Sequence, residues 1–354
     1  MENLLVDREC SHADVRPDMI LNRRRAYISA LAILLPIICV ARPSLAQAPS
    51  TLPPPSAAVT LTAAKSWGYQ LQRIKPEVLG ALPYDLFVID YSRDGTDAKA
   101  IGAAEIASLK VNPDGSRRIV LAYLSIGEAE TYRYYWQPDW ETPALAPPWL
   151  ASPNKTWRTN YPVRYWDAEW QSIIFGGESS YLTRIVNAGF DGIYLDRIDV
   201  HLEFEKENPQ ARDEMIAFVK ALAAQARKLK PGFLVVPQNG EELLEDESYR
   251  ATIDGIAKED LLFGDGRAKR ANKPARIAEN LAHLKPARED RKPVFVVEYI
   301  DKPEDVASAR RRIESYGFIP HFADRRLDTM RAGDLPPARA RPDPPPKNGG
   351  GSKK

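Results

Sequence analysis

Short apolar runs recur along the middle of the chain, each bounded by turn residues and most ending in a polar or acidic position. The sharpest is Gly192-Ile193-Tyr194-Leu195, which follows a Gly-Phe-Asp turn and runs into Asp196, Arg197 and Asp199. A run apolar on both faces suits a strand of a parallel sheet covered by helices. Eight such strands are predicted: Trp67 to Leu71, Leu86 to Asp90, Ile119 to Ser125, Ile193 to Asp196, Phe233 to Pro237, Ile253 to Ala257, Val294 to Glu298 and Phe318 to Phe322. Helical periodicity separates most of them. In Arg212 to Lys230 the residues Met215, Ile216, Val219, Leu222, Ala223 and Ala226 make one face, and Pro231-Gly232 stops it. Asp305 to Tyr316 is a second helix, with Pro303 at its start and Gly317 at its end. The alternation predicts an α/β fold, a single (β/α)8 barrel over residues 63–330. A doubly wound open sheet is the alternative, but no GxGxxG follows the first strand.

The flanks differ in character. Arg23, Arg24 and Arg25 precede an apolar stretch from Ala26 to Ala41, and Ser44-Leu45-Ala46 offers a small-residue cleavage site. Residues 1–46 therefore read as an N-terminal extension and export signal, with the mature chain expected from Gln47 and Met19 as an alternative start. The apolar stretch is interrupted by Pro36 and is short for a membrane span. Residues 47–62 are rich in Pro, Ser and Ala and read as a linker, and 331–354 as a basic, Pro-rich tail unable to bury a core.

Charge adds little: 49 Lys and Arg against 48 Asp and Glu give no global field for nucleic acid or an anionic membrane. Both cysteines, Cys10 and Cys39, fall in the leader, so the mature domain has no disulfide or thiolate metal site. The four histidines are scattered without HExxH spacing, which argues against a zinc hydrolase. No GxSxG elbow and no glycine-rich phosphate loop is present.

Acids, by contrast, recur where the predicted strands end. Asp90, Glu128 and Glu130, Asp196 and Asp199, Glu259 and Asp260, Glu298, and Asp324 end or follow six of the eight. Capping explains one such acid, but in a closed barrel all of them converge on the C-terminal face. Crowded carboxylates separate in pKa, giving an acid and a base, the pair that glycoside hydrolysis needs. The segment between the third and fourth strands is long and rich in Trp and Tyr, among them Trp136, Trp157 and Trp166. Most should pack this excursion onto the barrel, with Trp136 and Trp166 as expected stacking platforms for sugar. An acidic cluster binding Mg²⁺ or Ca²⁺ is the competing chemistry. No metal or cofactor is expected.

An ordered set of short motifs then narrows the class: Trp67-Gly68-Tyr69-Gln70-Leu71, Val88-Ile89-Asp90-Tyr91, Ala122-Tyr123-Leu124-Ser125-Ile126-Gly127-Glu128, Tyr194-Leu195-Asp196, Pro237-Gln238-Asn239-Gly240, Lys258-Glu259-Asp260 and Val297-Glu298-Tyr299. In this order, over residues 65–325, the chain resembles the endo-α-1,4-polygalactosaminidase family of glycoside hydrolases. The resemblance implies a (β/α)8 barrel acting on α-1,4-linked galactosamine polymers, with Asp196 and Glu259 as the catalytic pair. Asp196 is expected to be the ionised partner, favoured by Arg197, and Glu259 the proton donor. Tyr69, Asp90, Tyr91, Glu128, Asp199, Gln238, Asn239, Glu298, Tyr299 and Asp324 are expected to bind substrate beside them. The expected partner is a polysaccharide, met by an exported, periplasmic or extracellular monomer. A non-catalytic carbohydrate-binding barrel and an envelope interaction protein are the alternatives.

Overall fold

The computed structural model describes residues 60–264 and 267–330; the expected export signal, the expected linker up to residue 59 and the tail expected from Arg331 lie outside the described residues. Among the described residues, twelve strands run in the order β1 (Trp67–Gln70), β2 (Leu86–Ile89), β3 (Ile119–Ser125), β4 (Glu128–Glu130), β5 (Asn160–Pro162), β6 (Gly192–Asp196), β7 (Leu234–Pro237), β8 (Ile256–Glu259), β9 (Phe263–Gly264), β10 (Arg267–Ala271), β11 (Val294–Glu298) and β12 (Ile319–Phe322). Eight of them form the (β/α)8 barrel. They are hydrogen-bonded as two parallel arcs, β1-β2-β3-β6-β7 and β12-β11-β8.

Two seams join the arcs. At one, Gln238 bridges in parallel to Ala257, and the Asn239 amide donates to the Ala257 carbonyl at 2.9 Å. At the other, side chains replace the ladder. The Trp67 indole donates to the Ile319 carbonyl at 2.9 Å, and the Tyr69 amide donates to His321 Nε2 at 3.3 Å. Burial holds the His321 pKa down at about 3, so the ring stays neutral and can accept that bond.

Period-two alternation sorts the strands into two cores. Trp67, Tyr69, Leu86, Val88, Leu121, Tyr123, Tyr194, Val236, Ala257, Phe295 and Val297 fill the barrel interior. Phe87, Ile89, Val120, Ala122, Ile193, Leu195, Val235, Val294 and Val296 face the surrounding helices. Leu61 and Ala64, ahead of β1, are also buried in the interior cluster. The long amphipathic helix spans Ala211–Leu229, and the last helix Pro303–Ser315, each within a residue or two of its sequence-predicted span.

One strand is displaced from expectation. The sixth barrel strand is Ile256–Glu259, not Ile253 to Ala257. Asp254 is used before the strand begins: its carboxylate accepts the Val235 amide at 2.7 Å. Asp85 and Asp191 do the same work at other strand entrances, accepting the Lys65 amide at 2.9 Å and the Val120 amide at 3.0 Å. The displacement matters for chemistry, because it makes Glu259 the last residue of its strand.

The excursion between β3 and β6 is an elaborated cap. β4 and β5 pair antiparallel directly above β3. Its aromatics run as a contact chain from Tyr161 to Trp136 (4.9 Å), Trp140 (5.3 Å), Trp149 (5.0 Å) and Trp170 (5.1 Å), which docks it on the barrel.

Gly192 occupies an inward position on β6, two residues before Tyr194. A Cβ there would meet the Leu234 carbonyl oxygen at 2.4 Å and Leu121 Cδ2 at 2.8 Å. Gly192→Ala should therefore destabilise the barrel by about 1–3 kcal/mol, the range for overpacking, measured as a lower urea midpoint; an unchanged midpoint would contradict this packing.

Candidate active site

The interior alternation continues past the core and places the chemistry. Asp90 follows Val88, Asp196 follows Tyr194, Gln238 follows Val236, Glu259 follows Ala257, and Tyr299 follows Val297, each two residues on and so on the same inner face. They line a cleft of about 540 Å³ at the C-terminal face, together with Tyr69, Tyr123, Glu128, Glu130, Arg133, Asp199, Asn239 and Arg325.

Asp196 is held by three donors. Tyr123 Oη donates to Oδ2 at 2.7 Å, while the Arg197 amide (2.8 Å) and Gln238 Nε2 (3.1 Å) donate to Oδ1. Gln238 is itself oriented by the Tyr194 hydroxyl, which donates to its Oε1 at 2.6 Å. Burial is nevertheless the largest influence and, with the charge of Glu259, pushes the Asp196 pKa up to about 6. Arg197 favours the charged form of Asp196, as expected, but burial and Glu259 outweigh it. Its guanidinium turns away, to Glu128 (3.0 Å), Asp199 (3.6 Å) and Glu203.

Glu259 is raised above the ordinary carboxyl range, chiefly by burial and also by Asp260. A hydrogen bond from Tyr299 and the nearby Arg325 act the other way. Its amide donates to Asn239 Oδ1 at 3.1 Å, while the neighbouring Lys258 points to the opposite side of the strand and pairs with Glu241 at 3.0 Å.

The turns that follow these residues are bent sharply. Arg197, Asn239 and Asp260, which follow Asp196, Gln238 and Glu259, all adopt left-handed backbone, with φ of 62°, 59° and 56°. That costs non-glycine residues roughly 1 kcal/mol or more each, and such strain clusters at functional sites. At Arg197 the gain is visible: its amide is turned back onto the Asp196 carboxylate.

Two buried ion clusters form the walls. Arg133, 3% exposed, bonds Asp90 through both nitrogens (2.9 and 2.7 Å) and Glu130 at 2.5 Å. Tyr132 Oη donates to Glu130 at 2.6 Å. Across the cleft, Glu128 accepts from Asn154 at 2.7 Å and Asn160 at 3.2 Å, both supplied by the excursion. Burial raises its pKa against the opposing pull of Arg197. Asp199 is likewise raised by burial, with Arg197 and Lys258 opposing.

Nine of the fourteen sequence-predicted residues therefore converge: Tyr69, Asp90, Glu128, Asp196, Asp199, Gln238, Asn239, Glu259 and Tyr299. Five stand elsewhere. Tyr91 has the opposite parity to Asp90, packs on Tyr181 at 5.0 Å and bonds Asp97. Glu298 has the opposite parity to Tyr299; fully buried, it accepts the amides of Leu262 (2.6 Å) and Phe263 (3.1 Å), and burial lifts its pKa to about 8. Asp324 accepts the Arg326 amide at 2.9 Å in its own loop. Trp136 packs on Trp140 and Tyr161, and Trp166 on Tyr165 and Phe204. The aromatic that does reach the cleft from the excursion and remains open is Trp157, 53% exposed. Tyr123 was findable from the alternation in β3. Arg133 and Arg325 carry no sequence signal that distinguishes them.

Comparison with known proteins agrees with this arrangement. The family model of glycoside-hydrolase family GH114 matches residues 46–334. A protein of Deinococcus radiodurans is 37% identical over 296 residues, covering 82% of this chain and 91% of its own. One from Thermotoga maritima is 36% identical over 291 residues, covering 77% of this chain and 85% of its own. The glycoside hydrolase domain of PelA from Pseudomonas aeruginosa shares the fold, with a TM-score of 0.60 at 19% identity over 77% of this chain and 100% of that domain. The chain belongs to glycoside-hydrolase family GH114, the endo-α-1,4-polygalactosaminidase family whose motifs it carries.

Proposed function

We propose that this protein is an exported, monomeric glycoside hydrolase that cleaves a cationic amino-sugar polysaccharide, galactosaminan-like and α-1,4-linked, with Asp196 and Glu259 as its working carboxyls. The observation that carries the reading is their pairing. Both end inward positions of barrel strands, both line one cleft, and the charge of Glu259 raises Asp196. Ionising one opposes ionising the other, so the pair passes through a state with one proton. That state is what glycosidic cleavage uses.

In this reading Glu259 keeps the proton and gives it to the leaving glycosidic oxygen. Asp196 is the anion, because its three donors, Tyr123, the Arg197 amide and Gln238, all favour the charged form. It faces the anomeric carbon as positive charge develops there. Seven carboxylates line the cleft against five arginines, which suits a polymer carrying ammonium groups. Trp157 offers an open ring for stacking a sugar beyond the reacting one. Export is supported by the Arg-rich segment and apolar stretch before Gln47, and among the described residues no helix is long and apolar enough to cross a membrane.

Asp196→Asn and Glu259→Gln should each lower kcat on a galactosamine polymer by at least about 1000-fold, roughly 4 kcal/mol of barrel-face chemistry, with unchanged thermal melting. Near-normal release of reducing ends by both variants would sink the assignment.

The pair also fixes a pH profile. kcat/KM should rise with pH as Asp196 ionises near its pKa of about 6 and fall again as Glu259 loses its proton. The Tyr123 hydroxyl stabilises ionised Asp196, so Tyr123→Phe raises that pKa and should move the acidic limb to higher pH by up to about one unit. A limb that stays put or moves down would show that Asp196 is not the group titrating there.

A further inference from the structure

The loop after β12 reaches back over the cleft to the proton donor. Ala323 is buried in the interior cluster, and Arg325, two residues on, points over the same face. Its guanidinium lies 4.5 Å from the Tyr299 ring centroid, contacts the Asp260 carboxylate, and stands 3.6 Å from Glu259 Oε1. Tyr299 in turn hydrogen-bonds Glu259. One planar group thus ties together the ends of β12, β11 and β8, the three strands of the smaller arc. Stacking on a ring while pairing edge-on with carboxylates is a geometry that a guanidinium fits and an ammonium does not.

The partners are themselves fixed. Asp260 sits in left-handed backbone at φ 56°, and its carbonyl accepts from Asn272 Nδ2 at 2.7 Å. The Leu262 and Phe263 amides of that loop are held by Glu298. Arg325 is therefore braced against a held turn, with 40% of its side chain still exposed.

We propose that Arg325 is a positioning residue for Glu259, holding its carboxyl towards the cleft and setting the pH at which its proton is lost. This rests on Glu259 being the proton donor, as read above. The groups facing the Glu259 carboxyl are Asp260 in its own turn, Tyr299 at the end of β11, Asp196 and Asp199 from β6 and its loop, Tyr69 and Tyr194 from the barrel interior, and Arg325. Arg325 supplies the positive charge in that set. It attracts the Glu259 anion directly and neutralises Asp260, which repels it. Both effects have one sign: without Arg325, Glu259 keeps its proton to higher pH.

The test compares the full-length wild type with Arg325→Gln and Arg325→Lys by carboxyl ¹³C NMR titration, the Glu259 signal being assigned by its loss in Glu259→Gln. Arg325→Gln should raise the Glu259 midpoint by about one pH unit, and Arg325→Lys, which keeps the charge, should recover at least half of that. The basic limb of kcat/KM on galactosamine polymer should move with the midpoint while KM changes less than about twofold. A Glu259 midpoint identical in wild type and Arg325→Gln overturns the proposal. So does a raised KM with an unmoved basic limb, which makes Arg325 a substrate contact. A moved midpoint in proteins that hydrolyse no glycan supports the Arg325–Glu259 coupling and overturns the activity assigned above.

Discussion

Two carboxyl groups that repel each other are held at the mouth of one closed barrel, and much of the surrounding structure is arranged to tolerate them. Burial pushes both towards their protonated forms, with the charge of Glu259 adding to this at Asp196 and that of Asp260 at Glu259. Against this, Asp196 receives three hydrogen bonds and Glu259 is steadied by Tyr299 and Arg325. The balance leaves both carboxyls above their ordinary range, Asp196 at about 6. A surface pair of carboxylates has no such tension, and an unsupported buried pair would simply stay neutral.

Each carboxyl takes its side-chain donors from neighbouring strands of its own arc, and closure brings the two arcs together around one cleft. Tyr123 comes from β3, Gln238 from β7 and Tyr299 from β11, and each stands at the inward position above the core. Closure is not uniform, however. The eight strands form arcs of five and three, and at the seam between β12 and β1 a neutral histidine and a tryptophan indole stand in for part of the backbone ladder. The other seam, between β7 and β8, lies directly beneath Asn239 and Glu259. Three successive left-handed turns after β6, β7 and β8 cluster on this side of the barrel. Local strain and the proposed catalytic geometry thus coincide, and the stability that tolerates both comes from the two hydrophobic layers below.

Much of this was legible in the chain. Apolar runs of strand length with acids at their ends were enough for the barrel, and the ordered motifs for the family. Each departure has its own physical origin. Tyr91 and Glu298 were grouped with their neighbours by position in a motif, whereas a strand sends adjacent side chains to opposite faces. Parity alone separates Asp90 from Tyr91 and Tyr299 from Glu298. Ile253 reads as a strand residue, but the sixth strand begins only at Ile256, because Asp254 is occupied in closing the neighbouring strand. Trp136 and Trp166 could not be told from Trp157 in sequence, since tertiary packing decides which aromatic stays open. Nothing in sequence marks Arg133 or Arg325, because their partners lie on other strands, as Asp90 and Asp260 do.

The most direct measurement is a crystal structure of Glu259→Gln protein with a bound galactosamine oligosaccharide spanning the cleft. The account predicts the scissile glycosidic oxygen at about 3 Å from the substituted side chain, with the anomeric carbon facing the Asp196 carboxylate. A bound oligosaccharide whose glycosidic oxygen instead lies against Glu128 or Glu130, with Asp196 remote from any anomeric carbon, would contradict it.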